Sequence, residues 1–269
     1  YQAALHEGND PRGIDNAVLA VEKVGSKDVL IYTRSNAHMR VSQLKNLPAL
    51  KAQYPAIVDE VKNTGRRIFA RDCLEVDVHA DGKVFTLFVC HFKSMSGGRP
   101  KTIGRRQLEA LAVRQIIERR FPNPAQGNWL VLGDLNDYWR QIHVSSVRDA
   151  AGLYAETVKE DHQNPGFISG LDPFLRDGFA VSLVDVLPVA ERWSHYYSVD
   201  RTKTQLDHML ASAKFASAVV GQPQLVRGGQ PIRVPNTKSI ERYPRVGWDR
   251  PKASDHCPLV VQINTDLLS

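Results

Sequence analysis

Hydrophobic positions in this chain fall into short runs cut by polar turns, and most of the runs are strand-sized. "NAVLAVEK", "DVLIYTR", "RRIFARDCLEVDV" and "KVFTLFVCH" are rich in Val, Ile and Phe with partial alternation, the pattern of half-buried strands. Asp81-Gly82 separates the last two by a two-residue hairpin turn, which makes them antiparallel neighbours. Then the period changes. From about Thr102 to Arg120, Leu108, Leu111, Ala112, Val113 and Ile116 predict a long helix with one buried face, stopped by "PNP". "NWLVLG" predicts a buried strand, a loop-rich region runs to about residue 182, and "SLVDVL", "TQLDHMLAS" and "PLVVQIN" read as further strands. "GQPQLVRGGQPIRVPNTKSIERYPRVGWDRPKA", rich in Gly, Pro and Arg, reads as a long surface excursion. With no linker and no repeat, the pattern predicts one α+β domain over residues 1–269, its strands mostly antiparallel.

Composition adjusts this picture only a little. The 269 residues, 42% of them hydrophobic, suffice for a large core, and no apolar run nears the roughly 18 residues of a membrane-spanning helix. A net charge of +6 favours polyanionic partners such as nucleic acid, acidic lipid headgroups or phosphate esters. A solvated basic surface explains it equally well. Cys73, Cys90 and Cys257 are too few for a disulfide framework and form no CxxC pair, so they read as small buried hydrophobes. Neither compartment nor leader peptide is defined, and a monomer is expected.

Four strand ends then stand out, because titratable groups follow the apolar run at once. They are "FVCHFKS" with His91 and Lys93, "LVLGDLND" with Asp134 and Asn136, "TQLDHML" with Asp207 and His208, and "ASDHCPLVV" with Asp255 and His256. A strand end is a rigid mount for a reacting group. Singly these signals are weak: a strand-end histidine is more often a rim residue, and DxN more often an Asx turn. Together they fit phosphate-ester hydrolysis. That chemistry needs phosphate charge neutralised, a water oriented and deprotonated, and a leaving oxygen served. Hard oxygen ligands such as Asp255 and Asp134 suit Mg²⁺ better than zinc.

"HFKS", "GDLND", "QLDHML" and "SDHCPLVV", in this order, resemble the endonuclease/exonuclease/phosphatase superfamily, with "GNDPRGIDNAVLA" and "ERWSHYYSVDRTKTQLDHML" closest to a bacterial nuclease-like branch. The resemblance implies a four-layer α/β/β/α sandwich of two mixed sheets, with the site at one end of the sheets. It implies an Mg²⁺- or Mn²⁺-dependent phosphodiesterase whose substrate is nucleic acid or another phosphate ester. His91 would contact the scissile phosphate and serve the leaving group. Asp134 would position or deprotonate the attacking water, and Asn136 would hold a phosphate oxygen. Asp255 would bind the metal, and His256 the phosphate, with Asp207 fixing the imidazole. Asp72 in "ARDCLEV" is the candidate partner of His91, a surface salt bridge being its rival reading. Arg12 and Lys93 are candidates for steering phosphate. Trp193, Tyr196 and Tyr197 can stack on bases or pack in the second sheet, and period-two alternation turns His208 away from Asp207.

The family's opening strand with its asparagine, and the next strand ending in a metal-binding glutamate, are not matched in these residues. The chain is expected to start after that glutamate, with the first strands missing from it, and Glu7 does not replace it. Two alternatives to a nuclease follow. One is a phosphoesterase for small or lipid phosphates of the inositol phosphate or sphingomyelin type, disfavoured because Asp137 to Gly178 holds few basic residues. The other is a non-catalytic binding module, disfavoured by the retained polar set.

Overall fold

The computed structural model describes residues 1–235 and 240–268, and it is a mixed α+β structure with several sheets. Strands β1 (Gln2–His6) and β2 (Asn16–Ala20) form an antiparallel hairpin of their own. β3 (Lys23–Val24) and β4 (Lys27–Arg34) open a seven-stranded sheet, and a helix α1 (Leu47–Gln53) precedes its next strands, β5 (Cys73–Ala80) and β6 (Lys83–Cys90). The β5–β6 turn is the expected one. Asp81 and Gly82 both have positive φ, 54° and 72°, as a type I′ hairpin requires.

Helix α2 (Arg99–Arg120) then crosses over to β7 (Trp129–Asp134), which pairs parallel to β6. Parallel neighbours need such a long connection. β8 (Arg140–Arg148) and β9 (Tyr154–Asp161) begin a four-stranded sheet completed by β11 (His195–Tyr197) and β12 (Thr202–Thr204), in the order β11–β12–β8–β9. Between them lie α3 (Asp172–Leu175) and β10 (Val181–Ser182), the latter an edge of the large sheet. β13 (Asp207–Ala211) inserts between β10 and β7, and after α4 (Ala213–Ser217) a last antiparallel pair forms from β14 (Val219–Leu225) and β15 (Leu259–Ile263).

Alternation along β5 shows how the large sheet is packed. Leu74, Val76 and Val78 turn to one face and meet Val18 of β2, while Cys73 faces α2 with Phe88, Cys90, Trp129 and Val131. Glu75 and Asp77 share that α2 side and meet Arg120 at 3.1 and 2.6 Å. On β7, Leu130 turns to the other face, towards Phe215 of α4 and Val261 and Ile263 of β15.

Several elements differ from the pattern-based expectation. α2 begins at Arg99, ahead of Thr102, with Pro100 in the first turn, where a missing N–H costs nothing. It is not one-sided either: Arg105, Arg106, Gln107 and Glu109 are buried along with its apolar positions. The region after "NWLVLG" contains two long strands, β8 and β9, that hydrophobicity alone hides. β8 buries Ile142 and Val144, while β9 buries no residue fully. Cross-strand ion pairs take the place of apolar alternation, Arg140 with Asp161 at 2.6 Å and Lys203 with Glu156 at 2.7 Å. "SLVDVL" is a 3₁₀ turn from Leu183 rather than a strand. The supposed excursion starts inside β14, which takes up "GQPQL", and residues 236–239 of it lie outside the described residues.

Candidate functional site

Register alone gathers most of the candidate residues at one end of the large sheet. Cys73 pairs with Cys90, so Asp72 and His91 flank that end. Phe92 N–H donates to the Asp134 carbonyl at 2.9 Å, and Asp207 is the direct cross-strand partner of Asp134. His256 arrives from another direction: its backbone bridges that of His195 in β11.

The local fold of "GDLND" depends on a glycine. Gly133 has φ 127°, and a Cβ there would lie 2.1 Å from the Cys90 carbonyl oxygen. No other residue fits where β7 leans on β6. Beyond it, Asn136 takes a left-handed φ of 51°, its N–H donating to Asp134 Oδ1 at 2.9 Å and its Nδ2 to the Phe92 carbonyl at 3.2 Å. That leaves the Asn136 amide oxygen without a protein donor among the described residues.

Asp137 has a different task. Its buried carboxylate takes Arg99 Nε at 2.7 Å, Arg106 Nε at 3.0 Å and the amides of Tyr138 and Gly170 at 2.9 and 2.7 Å. Its carbonyl accepts from His208 Nε2 at 2.9 Å, whose Nδ1 then accepts from Gln205 at 3.1 Å. His208 is thus a buried neighbour on the face away from Asp207.

Two carboxylate–imidazole pairs result. His256 Nδ1 donates to Asp207 Oδ2 at 2.7 Å, and His91 Nε2 lies 3.6 Å from Asp134 Oδ2. The hydrogen bond and charge of Asp207 raise the His256 pKa above 6.5, and against burial the same bond holds Asp207 below its ordinary value. Both directions favour the charged form of the pair. Burial, reinforced by Arg71 and His256, lowers His91 to about 4, so it is neutral at pH 7. Asp134 moves the other way. Burial and the Asp207 charge push it up to about 6.

Donor atoms of Asp134, Asp207 and His256 lie within 4.8 Å of one another, a spacing that suits a cation. The donor set fits a hard divalent ion. Two carboxylates sit close enough for one to raise the other's pKa, and added positive charge would relieve that repulsion. Asp255, expected beside Asp134 as a metal ligand, is not in this cluster among the described residues; it lies on the exposed rim. Asp72 differs too. It is fully buried and accepts from the Asn36 amide at 2.8 Å, and among the described residues no hydrogen bond joins it to His91, which stands against Asp134 instead. Its burial also excludes a surface salt bridge.

Arg12 is held by Asp10 at 2.8 Å, yet its side chain remains mostly exposed. Lys93 lines an open cleft beside the site together with Asp10 and Arg12. Trp193 and Tyr196 are core residues of the four-stranded sheet, and Tyr197 stays exposed.

Two neighbours escaped sequence reasoning. The His195 ring is 5.0 Å from that of His256, and burial lowers its pKa to about 4. Buried Arg71 meets Asp10 at 3.0 Å and donates to the Phe92 carbonyl at 2.9 Å, placing a fixed positive charge beside His91 and Asp134. His195 follows no apolar run, and Arg71, although it follows Ile68-Phe69-Ala70, precedes a strand rather than ending one, so the strand-end signal passes over both. "GNDPRG" did mark the turn that carries Asp10.

The profile described as "Endonuclease/Exonuclease/phosphatase family" matches residues 1–165, which include His91 and Asp134. No curated protein matches the chain. Among solved structures, it is similar to a humanized D. rerio TDP2 carrying 14 mutations, with 16% identity over 72% of this chain and a TM-score of 0.38. It is also similar to endonuclease/exonuclease/phosphatase family proteins from Leptotrichia buccalis (15% identity over 98%, TM-score 0.44) and Bacteroides thetaiotaomicron (14% over 96%, TM-score 0.45). The chain spans 60%, 71% and 74% of the respective lengths of those three proteins.

Proposed function

The chain belongs to the endonuclease/exonuclease/phosphatase family, and from that premise we propose that it is a metal-dependent phosphodiesterase acting as a nuclease through an activated water. The observation that carries this reading is the pairing of Asp134 with Asp207 across β7 and β13, each carboxylate beside its own histidine. The two pairs differ in protonation, and that difference divides the labour. Asp134 orients the attacking water and takes its proton; burial and the Asp207 charge raise its pKa to about 6 in the metal-free site, and a bound cation would bring it down again. His256, its pKa raised by the hydrogen bond to Asp207, offers its other ring nitrogen to a phosphate oxygen. Neutral His91 donates an N–H towards the phosphate or its leaving oxygen. The Asn136 amide is held by Phe92 beside them.

The Asp134 and Asp207 carboxylates would hold Mg²⁺ or Mn²⁺. Such an ion would supply charge neutralisation at the phosphoryl group and make a nearby water more acidic. The net charge of +6 supports a polyanionic substrate. The family's sandwich layering belongs to the same reading. Its support is that β14–β15 packs Val261 on the large sheet and Leu225 on the cluster containing Val144 of the four-stranded one.

Plasmid nicking with Mg²⁺, wild type beside Asp134→Asn, tests the proposal. The expected result is nicking that falls about 10²–10⁴-fold in the variant, the usual worth of a general base. Hydrolysis of bis-p-nitrophenyl phosphate without nicking would move the substrate to small or lipid phosphates. Silence on both substrates refutes the enzyme.

A further inference from the structure

Beside the carboxylate–imidazole pairs lies an open cleft of about 470 Å³ whose charge the proposed hydrolysis does not use. Arg12, Arg66, Arg67, Arg71, Lys93 and Arg105 line it, with Asp10 as its one acidic lining residue. Some of that charge is spent. Arg12 and Arg71 share Asp10 at 2.8 and 3.0 Å, and Arg66 pairs with Glu60 at 2.7 Å. The rest is not. Among the described residues Arg67 and Lys93 have no ion-pair partner, Arg67 Nη1 donating only to the neutral Asn9 amide oxygen, and Arg105 has only Glu60 and Glu109, each at 3.9 Å. The Arg105 side chain is more than nine-tenths buried, and its Nη1 has no hydrogen-bond acceptor. A buried guanidinium N–H without an acceptor is costly unless a ligand supplies one.

The floor of the cleft is built to hold this charge in place. The Glu109 carboxylate accepts the amides of Ala70 and Lys93 at 2.9 and 2.8 Å, and Arg105 Nη2 donates to the Arg67 carbonyl at 2.8 Å. The cleft also shares a wall with the reacting site. Arg71 grips the Phe92 carbonyl, and the Phe92 amide is bonded to Asp134. Lys93 is two residues past His91, so their Cα atoms are at most about 7 Å apart.

We propose that this cleft holds a second phosphate, the neighbour of the scissile one on a nucleic acid strand, and thereby selects polynucleotides over small phosphodiesters. Forked guanidinium donors with unspent valence match phosphate oxygens. A strand brings a phosphate with every nucleotide, so one bound at His91 and Asp134 necessarily presents another close by. A small diester has nothing to place there. Contacts of this kind fix register without reading sequence. The inference rests on the phosphodiesterase reading for its substrate class, not for the cleft's affinity for phosphate.

The test compares wild type, Arg67→Ala and Arg67→Lys on a short single-stranded oligonucleotide and on bis-p-nitrophenyl phosphate. Arg67 is exposed, and a thermal melt checks that each variant is folded. The ratio of kcat/KM on oligonucleotide to that on the small diester should fall at least tenfold in Arg67→Ala, through KM, with partial recovery in Arg67→Lys. The salt dependence of KM should become shallower by about one unit of logarithmic slope. A ratio within twofold of wild type overturns the inference. If neither substrate is cleaved, the hydrolytic reading fails, and fluorescence anisotropy with the same oligonucleotide decides about the cleft. Binding weakened by Arg67→Ala sustains it. Equal binding, or none, overturns it.

Discussion

Replacing Asp137 tests whether the platform beneath the site is held as the structure implies. Its carboxylate collects four donors: Arg106 Nε, Arg99 Nε, and the amides of Tyr138 and Gly170. Arg106 and Asp137 are both fully buried. Asp137→Ala leaves Arg106 with only neutral acceptors, Thr102 Oγ1 at 2.7 Å and the carbonyls of Arg99 and Lys93 at 3.2 and 3.3 Å. Removing one partner of a buried ion pair costs about 3–5 kcal/mol. The two stranded amides, worth about 1–3 kcal/mol each when unsatisfied, push the value towards the top of that range without adding in full. Asp137→Asn keeps the shape and loses the charge, so about 3 kcal/mol is expected. Urea denaturation followed by circular dichroism measures both, and a chain of this size should lose about 2–4 °C in Tm per kcal/mol. Lys62→Ala, which breaks an exposed pair with Asp59, should cost under about 1 kcal/mol and serves as the control. A loss below 1 kcal/mol for Asp137→Ala would refute the buried-network argument.

Two further outcomes follow from the same geometry. Gly133→Ala places a methyl 2.1 Å from the Cys90 carbonyl at a φ that alanine avoids, and should cost about 2–4 kcal/mol with loss of any activity that needs Asp134; unchanged stability in a urea titration would show that β6 and β7 are not so closely apposed. Asp207→Asn should lower the His256 pKa in a ¹⁵N NMR titration run with chelator. Because the folded pKa of His256 is raised, its pairing stabilises the fold fully below about pH 6.5 and ever less as pH rises through the folded value, so the variant's stability should depend less on pH there; identical titrations would refute the pairing.

The parts of the molecule legible in sequence are those where local pattern and tertiary role coincide. β5 and β6 alternate around an Asp-Gly turn, and β7 is an apolar run closed by glycine, so strand and site could be read together. β8 and β9 were hidden because their partners, not their own apolar residues, make them strands: Arg140 needs Asp161, and Glu156 needs Lys203. The site divides in the same way. Asp134, Asn136, Asp207, His91 and His256 lie at or beside strand ends. His195 is brought in by a backbone bridge to a segment about sixty residues away, and no local signal announces that.

"GDLND" shows most sharply what sequence leaves undecided. Two acids three positions apart look interchangeable, yet Asp134 faces the cluster of titratable groups while Asp137 is locked inward by Arg99 and Arg106 of α2. The choice is made by the helix, not by the motif. Two residues after Gln107, on the same helix, Glu109 fixes the amides of Ala70 and Lys93 on the cleft side. The polar positions of α2 therefore orient the strand-end loop and the basic cleft from one rigid element. A hydrophobic pattern would assign those positions to solvent. Burying them costs desolvation, visible in the raised pKa of Glu109 and the lowered pKa of Arg105, and that cost is offset only when each charge has its specific acceptor or donor. Such a helix is an expensive way to make a core and an effective way to hold the strand-end loop and the basic cleft in fixed relation.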